Sequence, residues 1–130
     1  MKFYVRTRKN PSTREVQYHP QGIKTGIIDT ESLSAEIAER CSLTAGDVLN
    51  VLQNLYEIIP KYLIEGYTVK LNSLGTFHLT LLTEGATTAD DCTGKKVKRA
   101  AVHCIADKQL RQKVNNAITY EKVPKPTDKE

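Results

Sequence analysis

The sequence is poor in several features that define common classes of protein. It contains no Trp and only two Phe, and its longest uninterrupted apolar runs are three residues, such as residues 3–5 and 62–64. A membrane-spanning helix needs about 20 apolar residues and the core of a secretory signal about 7 to 15, so both are excluded and we expect a cytoplasmic protein. The three cysteines, Cys41, Cys92 and Cys104, are an odd number at wide spacings, which argues against a disulfide framework and for a reducing compartment.

The chain also has little apolar material for its length. Its 130 residues are typical of one domain with short additions, and only 39% of them are hydrophobic. A chain of this size should bury about two thirds of the surface that it exposes when unfolded. Either part of the chain is therefore a tail or an arm, or its apolar faces are completed by a second subunit.

Charged residues are segregated along the sequence, although the net charge is only +4. Residues 1–28 carry +5, residues 29–66 carry −5 and residues 67–130 carry +4. Seven basic residues and a single acid, Asp107, lie in the nineteen residues from 95 to 113. This concentration of cations is suited to binding a polyanion such as nucleic acid, because each phosphate neutralised by Lys or Arg releases condensed counterions. A solvated face would show the same run of charge.

The first third of the sequence predicts a β-hairpin and a short helix. Residues 3–8 and 15–19 have strand composition and flank an Asn-Pro turn signal. Asp29 or Thr30 is the expected cap of an amphipathic helix, with apolar positions recurring at steps of four from residue 33. The extension and its linker are therefore assigned to residues 1–28.

A second, longer helix is predicted from a capping box formed by Thr44 and Asp47, and it closes at Gly66. Pro60 lies inside it and should kink it. The apolar positions of this helix cover an arc wider than one face of a surface helix. In so short a chain the second cover is most easily a partner subunit.

After this helix the apolar period changes to two, which predicts antiparallel strands. One strand surrounds Val69 and the next surrounds Phe77, followed by a polar loop or arm over residues 84–93. A third strand is expected over residues 97–105, then a last helix capped by Asp107. The prolines and lysines of residues 119–130 predict a disordered tail.

The sequence offers little to support catalysis or metal binding. It lacks a Gly-rich phosphate loop, a Gly-x-Ser-x-Gly elbow and a His-Glu-x-x-His motif. His103 and Cys104 are adjacent on a predicted strand and so point to opposite faces, which favours a buried Cys and a partly exposed His over a metal site. We therefore expect no enzyme activity, no metal, no cofactor and no small-molecule substrate.

The segment GYTVKLNSLGTF at residues 66–77 resembles the HU and integration-host-factor family of bacterial histone-like DNA-binding proteins. In that family a Gly-x-x-Val-x-Leu-x-x-x-Gly-Thr-Phe segment follows the second helix. The resemblance covers roughly residues 29–118, and the added N-terminal hairpin looks like that of a HU-like subgroup common in Bacteroidetes. It implies an α+β fold in which two N-terminal helices pack under an antiparallel sheet with a protruding β-arm and a short C-terminal helix. It also implies an intertwined homodimer, in agreement with the wide apolar arc.

The same resemblance implies DNA contacts from the basic strand and the helix that follows it. The expected DNA-binding residues are Lys95, Lys96, Lys98, Arg99, Lys108, Arg111 and Lys113, with Lys70 as a weaker candidate. The extension residues Arg6, Arg8 and Lys9 could add phosphate contacts or could form a polar strand face.

The arm departs from the family pattern. Family members that bend DNA sharply wedge a proline from a basic arm between base pairs. Residues 77–93 contain no Lys, Arg or Pro and hold Glu84, Asp90 and Asp91. We therefore assign an intercalating role to no residue.

Taken together, the residues and the resemblance predict a dimeric, sequence-tolerant protein of the nucleoid that binds the phosphate backbone of double-stranded DNA. No membrane contact is expected. The alternative is a dimeric structural or protein-interaction module that keeps the HU-like fold with reduced or no DNA binding.

Overall fold

The computed structural model describes residues 1–126, and within it the chain forms two compact units. The first unit comprises Met1–Ile28 together with the chain from Val114 onward, and the second comprises Asp29–Lys113. The division falls inside the last helix.

The first unit contains a three-stranded sheet. Strands β1 (Lys2–Lys9) and β2 (Val16–Gly22) form the expected antiparallel hairpin, and β6 (Glu121–Lys122) pairs in parallel with the other edge of β1. The structure thus differs from the disordered tail expected from residue 119. Its last strand is fixed by backbone hydrogen bonds, from Glu121 N–H to the Met1 carbonyl at 3.1 Å and from Val123 N–H to the Phe3 carbonyl at 2.9 Å. The rest of that expected tail, residues 127–130, lies outside the described residues.

The second unit begins with the two helices α1 (Thr30–Arg40) and α2 (Ala45–Ile64). Asp29 caps α1, since its carboxylate accepts a hydrogen bond of 2.8 Å from Ser32 N–H, and hydrogen bonding by Ser32 lowers the pKa of Asp29. Thr44 and Asp47 form the predicted capping box of α2, with each side chain accepting from the other residue's backbone N–H, at 3.2 and 3.0 Å.

The α2 helix continues through Pro60 and stops at Gly66. The helix stays continuous on both sides of the proline, from Ala45 to Ile64. Gly66 then adopts a φ of 89°, a left-handed conformation that glycine accepts without a steric penalty. Gly66 therefore ends the helix at the position that the sequence predicts.

An antiparallel sheet follows, in the strand order β3-β4-β5. Its strands are β3 (Val69–Leu71), β4 (Gly75–Thr83) and β5 (Val97–Ala106), and the short helix α3 (Lys108–Ala117) completes the chain between β5 and β6. A Cβ on Gly75 would lie 2.9 Å from the carbonyl oxygen of Ile105, so only glycine allows this approach of β4 to β5. None of the helices in the described part of the chain is long and apolar enough to cross a membrane.

The apolar side of this second unit is only partly covered by the chain itself. Val48 and Leu63 are 5% and 3% exposed, whereas Tyr56 and Ile64 on the same helix are 74% and 81% exposed. An open apolar cavity of about 380 Å³ lies between α2 and the sheet. It is lined by Tyr56, Ile59, Pro60, Leu63, Ile64, Phe77, Leu79 and Val102. We call the face of the sheet that carries Phe77, Leu79 and Val102 the inner face.

Candidate nucleic-acid interface

The opposite side of the same sheet, which we call the outer face, carries basic and other polar side chains together with the exposed apolar residues Leu82 and Ile105. Side chains alternate along a strand, and directly paired residues of neighbouring strands share a face. The register pairs Lys70 with Thr76, His78 with His103, and Leu82 with Arg99. Lys70, His78, His103 and Arg99 therefore lie on the outer face, away from α2. The sheet thus brings two of the predicted DNA-binding residues, Lys70 and Arg99, to one surface.

Two histidines occupy the middle of this outer face. The imidazole rings of His78 and His103 are stacked, with centroids 5.2 Å apart and planes inclined by 19°. The Thr80 hydroxyl and Nε2 of His103 are hydrogen-bonded at 2.8 Å. The pairing of the two histidines is not predictable from the sequence, because it depends on the β4–β5 register.

The basic residues at the far end of β5 differ in their freedom to contact a ligand. Lys95 and Lys96 form a 3₁₀ turn before the strand, with Lys95 exposed and Lys96 half-buried. Lys98 is the extra residue of a β-bulge, since Leu82 pairs with Arg99 and Thr83 with Val97. The Lys98 ammonium lies 2.7 Å from a carboxylate oxygen of Glu84. This predicted DNA-binding residue therefore has its charge compensated within the chain.

The remaining predicted residues lie at the opposite end of β5, on α3. Asp107 begins this helix as predicted, since its carboxylate accepts a hydrogen bond of 2.8 Å from Gln109 N–H. Lys108, Arg111 and Lys113 are all exposed on α3. The helix α3 therefore starts at the end of a strand about 33 Å long whose other end follows Lys95 and Lys96. The eight predicted residues thus form three groups, at the two ends of β5 and on the outer face.

The loop between β4 and β5 carries negative charge. Asp90 and Asp91 are exposed, and Asp91 accepts a hydrogen bond of 2.7 Å from the Thr88 hydroxyl. The Thr88 hydroxyl in turn accepts from Asp91 N–H at 3.3 Å, so the loop satisfies its own polar groups. Residues 84–93 contain no Lys or Arg, so the cations of this loop, Lys95 and Lys96, lie only next to β5.

Across residues 1–126 no group of three His, Cys, Asp or Glu side chains could hold a metal ion. Cys104, expected to be buried, is exposed. The reason is its pairing with Phe77, which places it on the inner face, where the single chain supplies only partial cover.

Two solved structures share this architecture. A candidate bacterial DNA-binding protein from Bacteroides vulgatus superposes with a TM-score of 0.63 at 14% sequence identity, covering 97% of this chain and 50% of that one. This chain thus spans about half the length of the Bacteroides protein. A cocrystal structure of Anabaena HU with DNA superposes with a TM-score of 0.51 at 21% identity, covering 67% of this chain and 97% of the HU chain. At these identities the two structures show a shared fold. No curated protein matches the sequence.

A family model described as an HU domain fused to a wHTH, Ig or glycine-rich motif matches residues 1–122. The match includes the whole second unit, Asp29–Lys113, which we now call the HU-like unit, and most of the first unit. It confirms the resemblance seen in the segment at residues 66–77. The chain therefore belongs to this family of HU domains.

Proposed function

We propose that this protein binds double-stranded DNA through the phosphate backbone, with little dependence on sequence, as a dimer within the nucleoid of the cytoplasm. It acts as an architectural protein and not as an enzyme. The observation that carries the proposal is the outer face, where Lys70 and Arg99 flank the stacked histidines and to which the strands β3, β4 and β5 contribute no carboxylate. The family membership and the fold shared with a DNA-bound HU protein support it.

The exposed cations suit electrostatic binding. Lys95, Arg99 and the three basic residues of α3 are exposed, and among the described residues none of them forms an ion pair. Lys and Arg position a protein on the phosphates without reading base edges. Two chains would engage roughly six to ten phosphates, which predicts a loss of about 10³ to 10⁵ in affinity between 50 and 200 mM salt.

The incomplete cover of the inner face supports the dimer. An exposed α2 residue such as Ile64, next to an apolar cavity, is costly to leave in water, at about 25 cal/mol for each Å² of apolar surface. A second copy of the chain that places its own α2 and sheet against this face would remove that surface from water. Sedimentation should then show a dimer at micromolar concentration, and a stable folded monomer would contradict this part of the proposal.

The test of DNA binding is a fluorescence-anisotropy titration of unrelated duplexes at several salt concentrations. We expect the double variant K95Q/R99Q to weaken binding to each duplex about equally and to reduce the slope of log K against log salt by about 1.8 for each chain that contacts the DNA. The control K24Q/K122Q removes the same charge from the first unit and should bind like the wild type. Absence of binding at low salt, or a slope near zero, would refute the proposal.

The second candidate function is a dimeric protein-interaction module that retains the fold and has lost DNA binding. The ion pair between Lys98 and Glu84 favours it, because it neutralises a cation of the arm within the chain. This candidate predicts a dimer in sedimentation with no retardation of duplex DNA at low salt. It also predicts no effect of K95Q/R99Q in any DNA-binding assay.

A further inference from the structure

The N-terminal sheet has a basic face of its own. In β1 the residues Tyr4, Arg6 and Arg8 alternate with Phe3, Val5 and Thr7, so they share one face of the sheet. Their partners on β2 are Gln21, His19 and Gln17, respectively. Because directly paired residues share a face, the N-terminal basic face consists of Tyr4, Arg6, Arg8, Gln17, His19 and Gln21.

This face is a groove rather than a flat surface. A depression of about 390 Å³ is lined by Arg6, Arg8, His19 and Gln21. A second depression of about 250 Å³ adjoins it at Arg8 and His19 and continues past Gln17 to the turn after β1. The two depressions share Arg8 and His19, so together they form one polar groove that follows the strands.

The groove has positive charge without compensation. Arg6 and Arg8 are exposed, and in the part of the chain that the structure describes neither forms an ion pair. The described acids of this unit are Glu15, near the hairpin turn, and Glu121, which pairs with Lys2 at the other end of β1. Glu121 is thus about 13 Å along the strand from Arg6.

The chemistry of the groove suits the phosphodiester backbone of nucleic acid. Arg6 and Arg8 are two residues apart on one strand face, so their Cα atoms are about 7 Å apart and both guanidinium groups can contact one extended anion. Guanidinium groups bind phosphate oxygens in a bidentate manner, and the Gln and His side chains add hydrogen-bond donors. Tyr4, half-buried and paired with Gln21 of the groove, offers a ring against which a sugar or base could pack.

We infer that this groove is a second nucleic-acid contact, separate from the outer face of the HU-like unit, and that it takes phosphate groups through Arg6 and Arg8. The inference goes beyond the proposed function and can hold or fail independently of it.

The experiment compares four full-length proteins: the wild type, R6Q/R8Q, K95Q/R99Q and the combination of both double variants. Each is titrated against salt with a duplex and with a single-stranded oligonucleotide. We expect R6Q/R8Q to lower the slope by about 1.8 for each chain that engages the duplex, or by about 1.4 if the groove takes a single strand. K24Q/K122Q, which removes two charges from the same unit outside the groove, is the control.

A conservative variant tests the role of the guanidinium groups. R6K/R8K keeps both charges, so it should keep the salt slope while it lowers affinity, because Lys cannot form the bidentate contact. Thermal melting of each variant checks that the sheet stays folded. The inference is overturned if R6Q/R8Q binds like K24Q/K122Q, or if a poly-glutamate peptide of equal charge displaces the oligonucleotide as well as DNA does.

The outcomes separate the two proposals. If K95Q/R99Q retains the wild-type slope while R6Q/R8Q lowers it, the groove stands and the proposed DNA contact of Lys95 and Arg99 fails. If the reverse is found, the contact of Lys95 and Arg99 stands and the groove fails. Additive losses in the combined variant would support both contacts.

Discussion

Release of Lys98 from its ion pair should strengthen DNA binding. The variant Glu84→Gln removes the carboxylate that lies 2.7 Å from the Lys98 ammonium and keeps a side chain of the same shape. The Glu84 N–H donates to the Lys96 carbonyl at 2.8 Å, and this backbone bond does not depend on the side chain. The arm should therefore keep its conformation while Lys98 gains the freedom to contact a phosphate.

The size of the effect follows from the exposure of the pair and from counterion release. Lys98 and Glu84 are 55% and 54% exposed, and an exposed ion pair is worth about 0.2 to 1 kcal/mol, so its loss should barely affect the fold. Each added phosphate contact steepens the salt slope by about 0.9. Two protomers would add about 1.8, which increases the loss of affinity between 50 and 200 mM salt by about 12-fold.

Anisotropy titrations of Glu84→Gln and of the matched variant Asp90→Asn measure this effect. Both changes remove one negative charge from the same arm, but Asp90 has no ion pair among the described residues. Glu84→Gln should therefore steepen the slope more than Asp90→Asn. Equal slopes for the two variants would refute a phosphate contact from Lys98. They would mean that the salt slope depends only on the net charge of the arm.

Four further predictions concern the stability of the HU-like unit. Thr44→Ala should cost about 1 kcal/mol in urea unfolding. Hydrogen bonds from the Thr44 hydroxyl and backbone lower the pKa of Asp47 below its ordinary 3.8. The ionised Asp47 carboxylate therefore stabilises the fold above pH 3.8, and this stabilisation is lost as the pH falls through the lower pKa of the folded state. Acid unfolding of Asp47→Asn should lack this pH-dependent loss of stability. Leu63→Ala, at a position 3% exposed, should cost about 2 to 5 kcal/mol in the same urea assay. Gly75→Ala should lower the melting temperature, since its Cβ would meet the Ile105 carbonyl at 2.9 Å, and an unchanged melting temperature would show that the strands can separate there.

The helices were predictable because their signals are local. The cap at Asp29, the capping box at Thr44 and the stop at Gly66 each depend on residues within one turn, and the structure confirms all three. The strand β6 was not predictable in this way. It consists of two residues, Glu121–Lys122, and it exists only because the edge of β1, more than a hundred residues earlier, accepts it.

The candidate site was predictable in composition but not in arrangement. The outward position of Lys70 follows from alternation in a short strand. The bulge at Lys98 and the stacking of His78 on His103 depend on the pairing of β4 with β5, which a period-two pattern alone does not define.

The proposed dimer and the proposed DNA contact both depend on the register of β5, because the dimer would use the inner face of this strand and DNA its outer face. Arg99 and His103 point outward, while Val102 lines the apolar cavity on the inner face. A shift of one residue would exchange the two sets, placing a cation against α2 and an apolar side chain toward the phosphates. The close approach of Gly75 to the Ile105 carbonyl holds the register at one end of the strand pair. At the other end, the bulge leaves Lys98 unpaired in the ladder, and the regular pairing of β4 with β5 begins at Arg99.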